Sequence, residues 1–149
     1  MRERAVVVDT SIVIKWVIDE ADSDLAQALL AEWVNEQIVV LAPPLLAYEV
    51  ANILYQQVRR GGMSLDRATE ALTEVARVGI VFDFPPEIAF SSQAMELAQH
   101  FSLPATYDAQ YLALAQRRGC ELWTADTRLW RAVSGKLDGV RLMSDYHPK

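Results

Sequence analysis

Cysteine, histidine and basic charge are what this chain has least of. A single Cys120 excludes an internal disulfide. Its setting, Arg118-Gly119-Cys120-Glu121-Leu122, suits a small buried apolar residue at a helix-to-strand junction better than a reactive thiol. A reducing cytoplasm is the expected compartment. Histidine occurs only at His100 and His147, in no ligand-spaced pair, so a zinc site has little support. The apolar run that follows Arg2 and Arg4 is cut off by Asp9, far short of a signal-peptide core. No later run reaches membrane-spanning length, so a soluble, unexported protein is expected. With 14 Lys and Arg against 20 Asp and Glu, the net charge of −6 argues against a broad electrostatic grip on nucleic acid.

What is present is an apolar chain punctuated by acids at strand ends. At 149 residues and 52% hydrophobic content, residues 1–149 form one expected domain with a sizeable core. Ala5-Val6-Val7-Val8 reads as a strand buried on both faces, as in a parallel sheet covered by helices. It runs into Asp9-Thr10-Ser11 and then a helix. Taken alone, Asp9 is a helix cap; other carboxylates arriving at the same sheet edge would change that reading, because ligands collect at such edges.

The remaining elements follow by period and punctuation. Ala26, Leu29, Leu30, Trp33 and Val34 mark the inward face of a second helix. Ile38 to Leu41 is a second strand, and Pro43-Pro44 opens a helix that runs to about Arg60 before Gly61-Gly62. A further helix opens at Ser64-Leu65, with Leu65, Ala68, Leu72 and Val75 on one face and Gly79 after it. Ile80 to Phe84 reads as an edge strand, followed by a helix from Glu87 to about Gln99. Asp108 lies in the first turn of the next helix, which Gly119 stops. Glu121 to Thr124 is a strand that ends in Asp126 and another helix, Val140 to Met143 adds a fifth strand, and Ser144 to Lys149 is a polar tail. The fold class is therefore α/β, a three-layer α/β/α arrangement around a parallel sheet of four to five strands.

Asp9 and Asp126 come from strand ends, while Glu49 and Asp108 come from early helical turns able to reach the same edge. Glu49 sits between Leu45 and Ile53 on an apolar side, where a carboxylate is costly unless compensated. Two bare carboxylates 4 Å apart repel by about 4 kcal/mol at an effective dielectric near 20, so four together call for a cation. Hard oxygen donors with so little His or Cys favour Mg²⁺, with Mn²⁺ as a substitute. Such an ion activates water and offsets charge on a phosphoryl group, with no side-chain nucleophile. Ser11 and Thr124 would orient the carboxylates or bound waters, or else cap helices.

Other acidic-site architectures fit less well. Asp83 lies inside an apolar strand and no lysine follows Trp123-Thr124, against a phosphoacceptor domain. No second acid stands two residues after Asp9, against an aspartate-nucleophile phosphatase. A dinucleotide site would need a glycine-rich first turn, which is absent.

Val8-Asp9-Thr10-Ser11, Leu46-Ala47-Tyr48-Glu49-Val50-Ala51-Asn52, Thr106-Tyr107-Asp108-Ala109-Gln110-Tyr111-Leu112-Ala113-Leu114-Ala115 and Thr124-Ala125-Asp126 occur in an order and spacing that resemble those of PIN-domain nucleases. The size resembles the VapC toxin branch of toxin–antitoxin modules, and the resemblance spans essentially the whole chain. It implies a parallel sheet flanked by helices, Mg²⁺-dependent cleavage of RNA, a homodimer and inhibition by a small antitoxin. By position, Asp9 and Asp108 match the principal metal ligands, and Glu49 and Asp126 complete the acidic pocket. The alternative is a PIN-like module that serves only as a protein or RNA binding partner.

Lys15, Arg59, Arg60, Arg117, Arg118, Arg128 and Arg131 are available to meet a substrate, and Tyr48, Tyr107 and Tyr111 could stack bases or pack in the core. The apolar content of the helices from Leu45 to Arg60 and Leu65 to Arg77 exceeds what one small sheet covers, which favours burial against a second copy. An antitoxin closing an acidic pocket should be basic, with apolar anchors.

Overall fold

The computed structural model describes residues 4–149; Arg2 lies outside the described residues. Five parallel strands, β1 (Ala5–Val8), β2 (Val39–Ala42), β3 (Val81–Phe82), β4 (Glu121–Thr124) and β5 (Val140–Leu142), form one sheet in the order β3-β2-β1-β4-β5. Seven helices connect them: α1 (Thr10–Val17), α2 (Ser23–Asn35), α3 (Leu45–Arg59), α4 (Leu65–Val78), α5 (Glu87–His100), α6 (Tyr107–Arg118) and α7 (Thr127–Val133). The fold is α/β in three layers. Parallel strands need right-handed crossovers, so α1 to α4 cover one face and α5 to α7 the other. Consistent with this, α1 packs on α2, α3 and α4, and α5 packs on α6.

The strand order places a topological switch between β1 and β4. From β1 the chain moves towards β2 over one face, and from β4 towards β5 over the other. Val8 pairs with Trp123 across this boundary, so Asp9 and Thr124 leave the sheet side by side. The crevice outside such strand ends is where open α/β sheets bind ligands.

The core is built from the expected apolar runs. Val7, Val8, Ile12, Leu41, Leu46, Leu112, Leu114 and Leu122 are fully buried. Gly79 and Gly119 end α4 and α6 in the left-handed conformation that glycine adopts without steric cost. Cys120 is half-buried against the core.

Several boundaries and faces differ from those read in the sequence. β2 begins at Val39 and extends to Ala42, because its pairing with β1 starts at Ala5. β3 is an edge strand of two residues, and Asp83 lies just beyond it, ion-paired with Arg118 at 2.9 Å. Helix α4 buries Ala68 and Ala71 against the core where it meets α1 and α3, leaving Leu65 and Leu72 exposed. In α2, Trp33 is buried but Val34 is 64% exposed, one helical step too far round. The polar tail is not free. Its Tyr146 ring stands edge-on to Trp123 at 6.2 Å and its hydroxyl donates to Glu32, while Lys149 pairs with Glu32 and Glu36. Trp16, Trp33 and Trp123 continue that edge-to-face row, at 6.4 and 5.9 Å between successive rings.

Leu122 sits at the centre of β4, flanked by strands on both sides. Leu122→Ala should lower unfolding free energy by about 2–5 kcal/mol, the usual range for an emptied core site. Urea denaturation measures this; a loss below about 1 kcal/mol would show that β4 is not a core strand.

Candidate functional site

Asp9 is the most buried acid among the described residues, at 4% exposure. It occupies the cap position of α1, yet its side chain makes no capping hydrogen bond. Its oxygens instead accept one hydroxyl each. Ser11 donates to Oδ1 at 2.5 Å and Thr124 donates to Oδ2 at 2.5 Å. Ser11 Oγ in turn accepts from the Ala125 N–H at 2.8 Å, and Thr124 Oγ1 from the Asp126 N–H at 3.0 Å. Both hydroxyls thus bond the Asp9 carboxyl, and they tie the first turn of α1 to the end of β4.

Asp126 follows the plainer reading. It caps α7, with Oδ1 accepting the Arg128 and Leu129 N–H groups at 2.9 and 3.3 Å. Asp108, in the first turn of α6, accepts no hydrogen bond from any described residue and is the least restrained of the acids. Glu49 is half-buried beside the stripe of Leu46, Val50 and Leu54 rather than within it. Thr10 Oγ1 donates to Glu49 Oε1 at 3.0 Å, and the Tyr111 hydroxyl donates to the same oxygen. Thr10 and Tyr111 escaped the sequence reading as site residues. Tyr111, weighed as a stacking or core residue, is core by burial and polar by contact; its spacing three residues after Asp108 was the available signal.

Electrostatics shows which acids share the space. Burial is the largest cause pushing Asp9 up to about 7; the Ser11 and Thr124 hydroxyls oppose it, and the charges of Asp108 and Asp126 add to it. Asp108 is also raised, first by burial, then by Asp126 and Glu49, with Arg128 acting the other way. Burial and the hydrogen bond to Glu49 hold the Tyr111 phenol well above its ordinary range, so it remains a donor. Asp108 thus feels both Asp126 and Glu49, and Asp9 feels Asp108 and Asp126. The acids are neighbours without being in contact. Among the described residues no three His, Cys, Asp or Glu side chains converge closely enough to share an ion.

The donor set suits a hard cation: all oxygen, mostly carboxylate. To hold one, Asp9, Asp108, Asp126 and Glu49 would have to draw closer together than they stand here. Of the cations listed from sequence, Lys15 is committed to Glu20 and the Ala21 carbonyl, and Arg118 to Asp83. Arg128, exposed in the first turn of α7, is the one whose charge reaches Asp108. Tyr48 and Tyr107 are 73% and 58% exposed.

The profile of the PIN domain matches residues 6–136. The chain is 32% identical over 128 residues to ribonuclease VapC3 of Pyrobaculum aerophilum, an alignment covering 83% of this chain and 90% of that protein. In structure it is similar to PAE2754 of the same organism, with a TM-score of 0.69, 22% identity, and 95% and 92% of the two chains covered. It is also similar to VapC20 of Mycobacterium tuberculosis, a toxin that cleaves the sarcin-ricin loop, with a TM-score of 0.64, 21% identity, and 85% and 94% covered. At these identities the structural likenesses speak to fold alone.

The Asp9 environment predicts a pH signature. Above about pH 4 the unfolded chain has released the Asp9 proton, whereas the folded protein keeps it to about pH 7. The unfolded state then binds fewer protons, so this group's contribution to stability falls as pH rises through that window and is level above it. Asp9→Asn removes the effect. With EDTA present, the variant should gain on the wild type by an amount on the order of 4 kcal/mol between pH 4 and 7.5, measured by urea unfolding. Parallel stability curves would show that the Asp9 carboxyl ionises as easily folded as unfolded.

Proposed function

The chain belongs to the PIN-domain family, and from that premise we propose that it is a Mg²⁺-dependent endoribonuclease, the toxin of a toxin–antitoxin pair. The observation that carries the reading is the buried Asp9 at the β1–β4 switch point, within electrostatic reach of both Asp108 and Asp126. A buried acid of raised pKa beside two others is poised to take up a divalent cation, which replaces the proton and relieves the repulsion. The ribonuclease name of the curated relative supports the substrate class.

In this reading residues 4–149 act as one nuclease domain. Asp9 and Asp108 are the principal metal holders, with Glu49 and Asp126 completing the set. Mg²⁺, or Mn²⁺ in its place, lowers the pKa of water and offsets negative charge on a phosphodiester under attack. Ser11 and Thr124 fix the Asp9 carboxylate in one orientation, so little ordering remains to be done when the ion arrives. Asp126 is held through Oδ1 by two backbone N–H groups, which leaves Oδ2 for the ion or a bound water. Asp108, unrestrained by protein donors, adjusts to the ion and the substrate. Arg128 stands beside it, placed to meet a phosphate of the RNA backbone.

The partners follow from charge and exposed apolar surface. Tyr55, Leu65 and Leu72 on α3 and α4 are exposed, which supports burial of these helices against a second copy. An antitoxin would present a basic segment that pairs with the acids in place of metal. Among the described residues no helix is long and apolar enough to cross a membrane, which is compatible with action in the cytoplasm.

Asp9→Asn and Asp108→Asn should each cut the rate of RNA cleavage by two orders of magnitude or more while the protein stays folded. That exceeds the ~10–100-fold typical of changes to groups that only orient a ligand. EDTA should stop cleavage and Mg²⁺ or Mn²⁺ restore it; full activity in either variant, or rescue by Zn²⁺ alone, would refute the site. Light scattering at micromolar concentration should give the mass of two chains, and a strict monomer would refute the dimer.

A further inference from the structure

Glu49, like Asp126, is held by one oxygen, but by side-chain hydroxyls from two other helices rather than by the backbone N–H groups of its own turn. Both of its donors meet a single oxygen: Thr10 Oγ1 lies 3.0 Å from Oε1, the Tyr111 hydroxyl donates to Oε1, and the two hydroxyls are 2.9 Å apart. Oε2 accepts no hydrogen bond from any described residue. Thr10 is 7% exposed and Tyr111 1%, so the cluster lies buried where α1, α3 and α6 come together. Valine and phenylalanine would fill the same volumes. Burying hydroxyls is tolerated only because Glu49 accepts from them, so the polar choice points to a task for the carboxylate. The sequence placement agrees. Thr10 adjoins Asp9, and Tyr111 is three residues after Asp108 on the same side of α6.

We propose that Thr10 and Tyr111 are positioning residues that clamp Glu49 by Oε1 and thereby present Oε2 to the cation held with Asp9, Asp108 and Asp126. The inference rests on the metal-dependent reading above. Neither hydroxyl touches the reacting atoms. Their work is to keep a long, flexible side chain in one of its rotamers, a cost otherwise met when the ion binds. A glutamate free to turn would bring its charge to the ion only part of the time.

The test is Mn²⁺ binding to the full chain, with free Mn²⁺ read by electron paramagnetic resonance, so that cleavage is not the readout. The proteins are wild type, Tyr111→Phe, Thr10→Val, Thr10→Ser, Glu49→Gln, and Tyr111→Phe combined with Glu49→Gln. Tyr111→Phe and Thr10→Val should weaken binding about tenfold, in the range for groups that orient a metal-binding side chain. Thr10→Ser, which keeps the hydroxyl, should bind as the wild type does. In the Glu49→Gln background Tyr111→Phe should add nothing, because the two changes act through one group.

Wild-type affinity in both Tyr111→Phe and Thr10→Val would overturn the clamp, even if their melting temperatures fall. So would an undiminished Tyr111→Phe effect on top of Glu49→Gln. A wild type that binds no Mn²⁺ at millimolar concentration would overturn the metal-dependent reading itself, and the clamp with it.

Discussion

The Asp9 carboxylate lies between two strands that are far apart in sequence and adjacent in the sheet. Ser11 comes from its own strand end and Thr124 from the neighbouring one, and each takes one of its oxygens. The same two hydroxyls accept the N–H groups of Ala125 and Asp126, so the turn after β4 is hung from the turn after β1. This small network also keeps a carboxyl out of water at the mouth of the switch point, at a cost the hydroxyls only partly offset. The placement of the other three acids has meaning only relative to this one.

Legibility varied with the range of the interactions involved. β1 and β4 were readable to the residue, because four apolar residues ending in a polar turn leave few options. Leu65 and Leu72 were misplaced, because helical period finds a stripe without saying which part a neighbouring helix covers. Asp9 and Asp126 occur in the same local pattern and behave differently: Asp126 caps its helix, while Asp9 is drawn away by Thr124, 115 residues downstream. Local sequence has no view of that partner. The same limit hid Thr10 and Tyr111, whose meeting with Glu49 spans 39 and 62 residues. Ser11 and Thr124 were found because they stand beside acids already under suspicion.

An acidic protein acting on a polyanion has to localise its attraction. The net charge of −6 repels any nucleic acid at distance, yet within a Debye length of about 8 Å the local arrangement decides. Here Arg128 lies within electrostatic reach of Asp108, while Tyr48 and Tyr107 offer uncharged, exposed rings. Affinity in such a site comes from close contacts more than from long-range steering, which favours selectivity over speed of encounter.

The row of rings from Trp16 through Trp33 and Trp123 to Tyr146 has a spectroscopic consequence. Three of the four tryptophans lie within 6.4 Å of a neighbour, close enough for excitation to pass between them. The last of the three, Trp123, immediately precedes the threonine that holds Asp9. A rearrangement of that threonine is felt next door by an indole that stands against Trp33 and Tyr146, so the protein's own ultraviolet emission carries information about the acidic crevice without an added label.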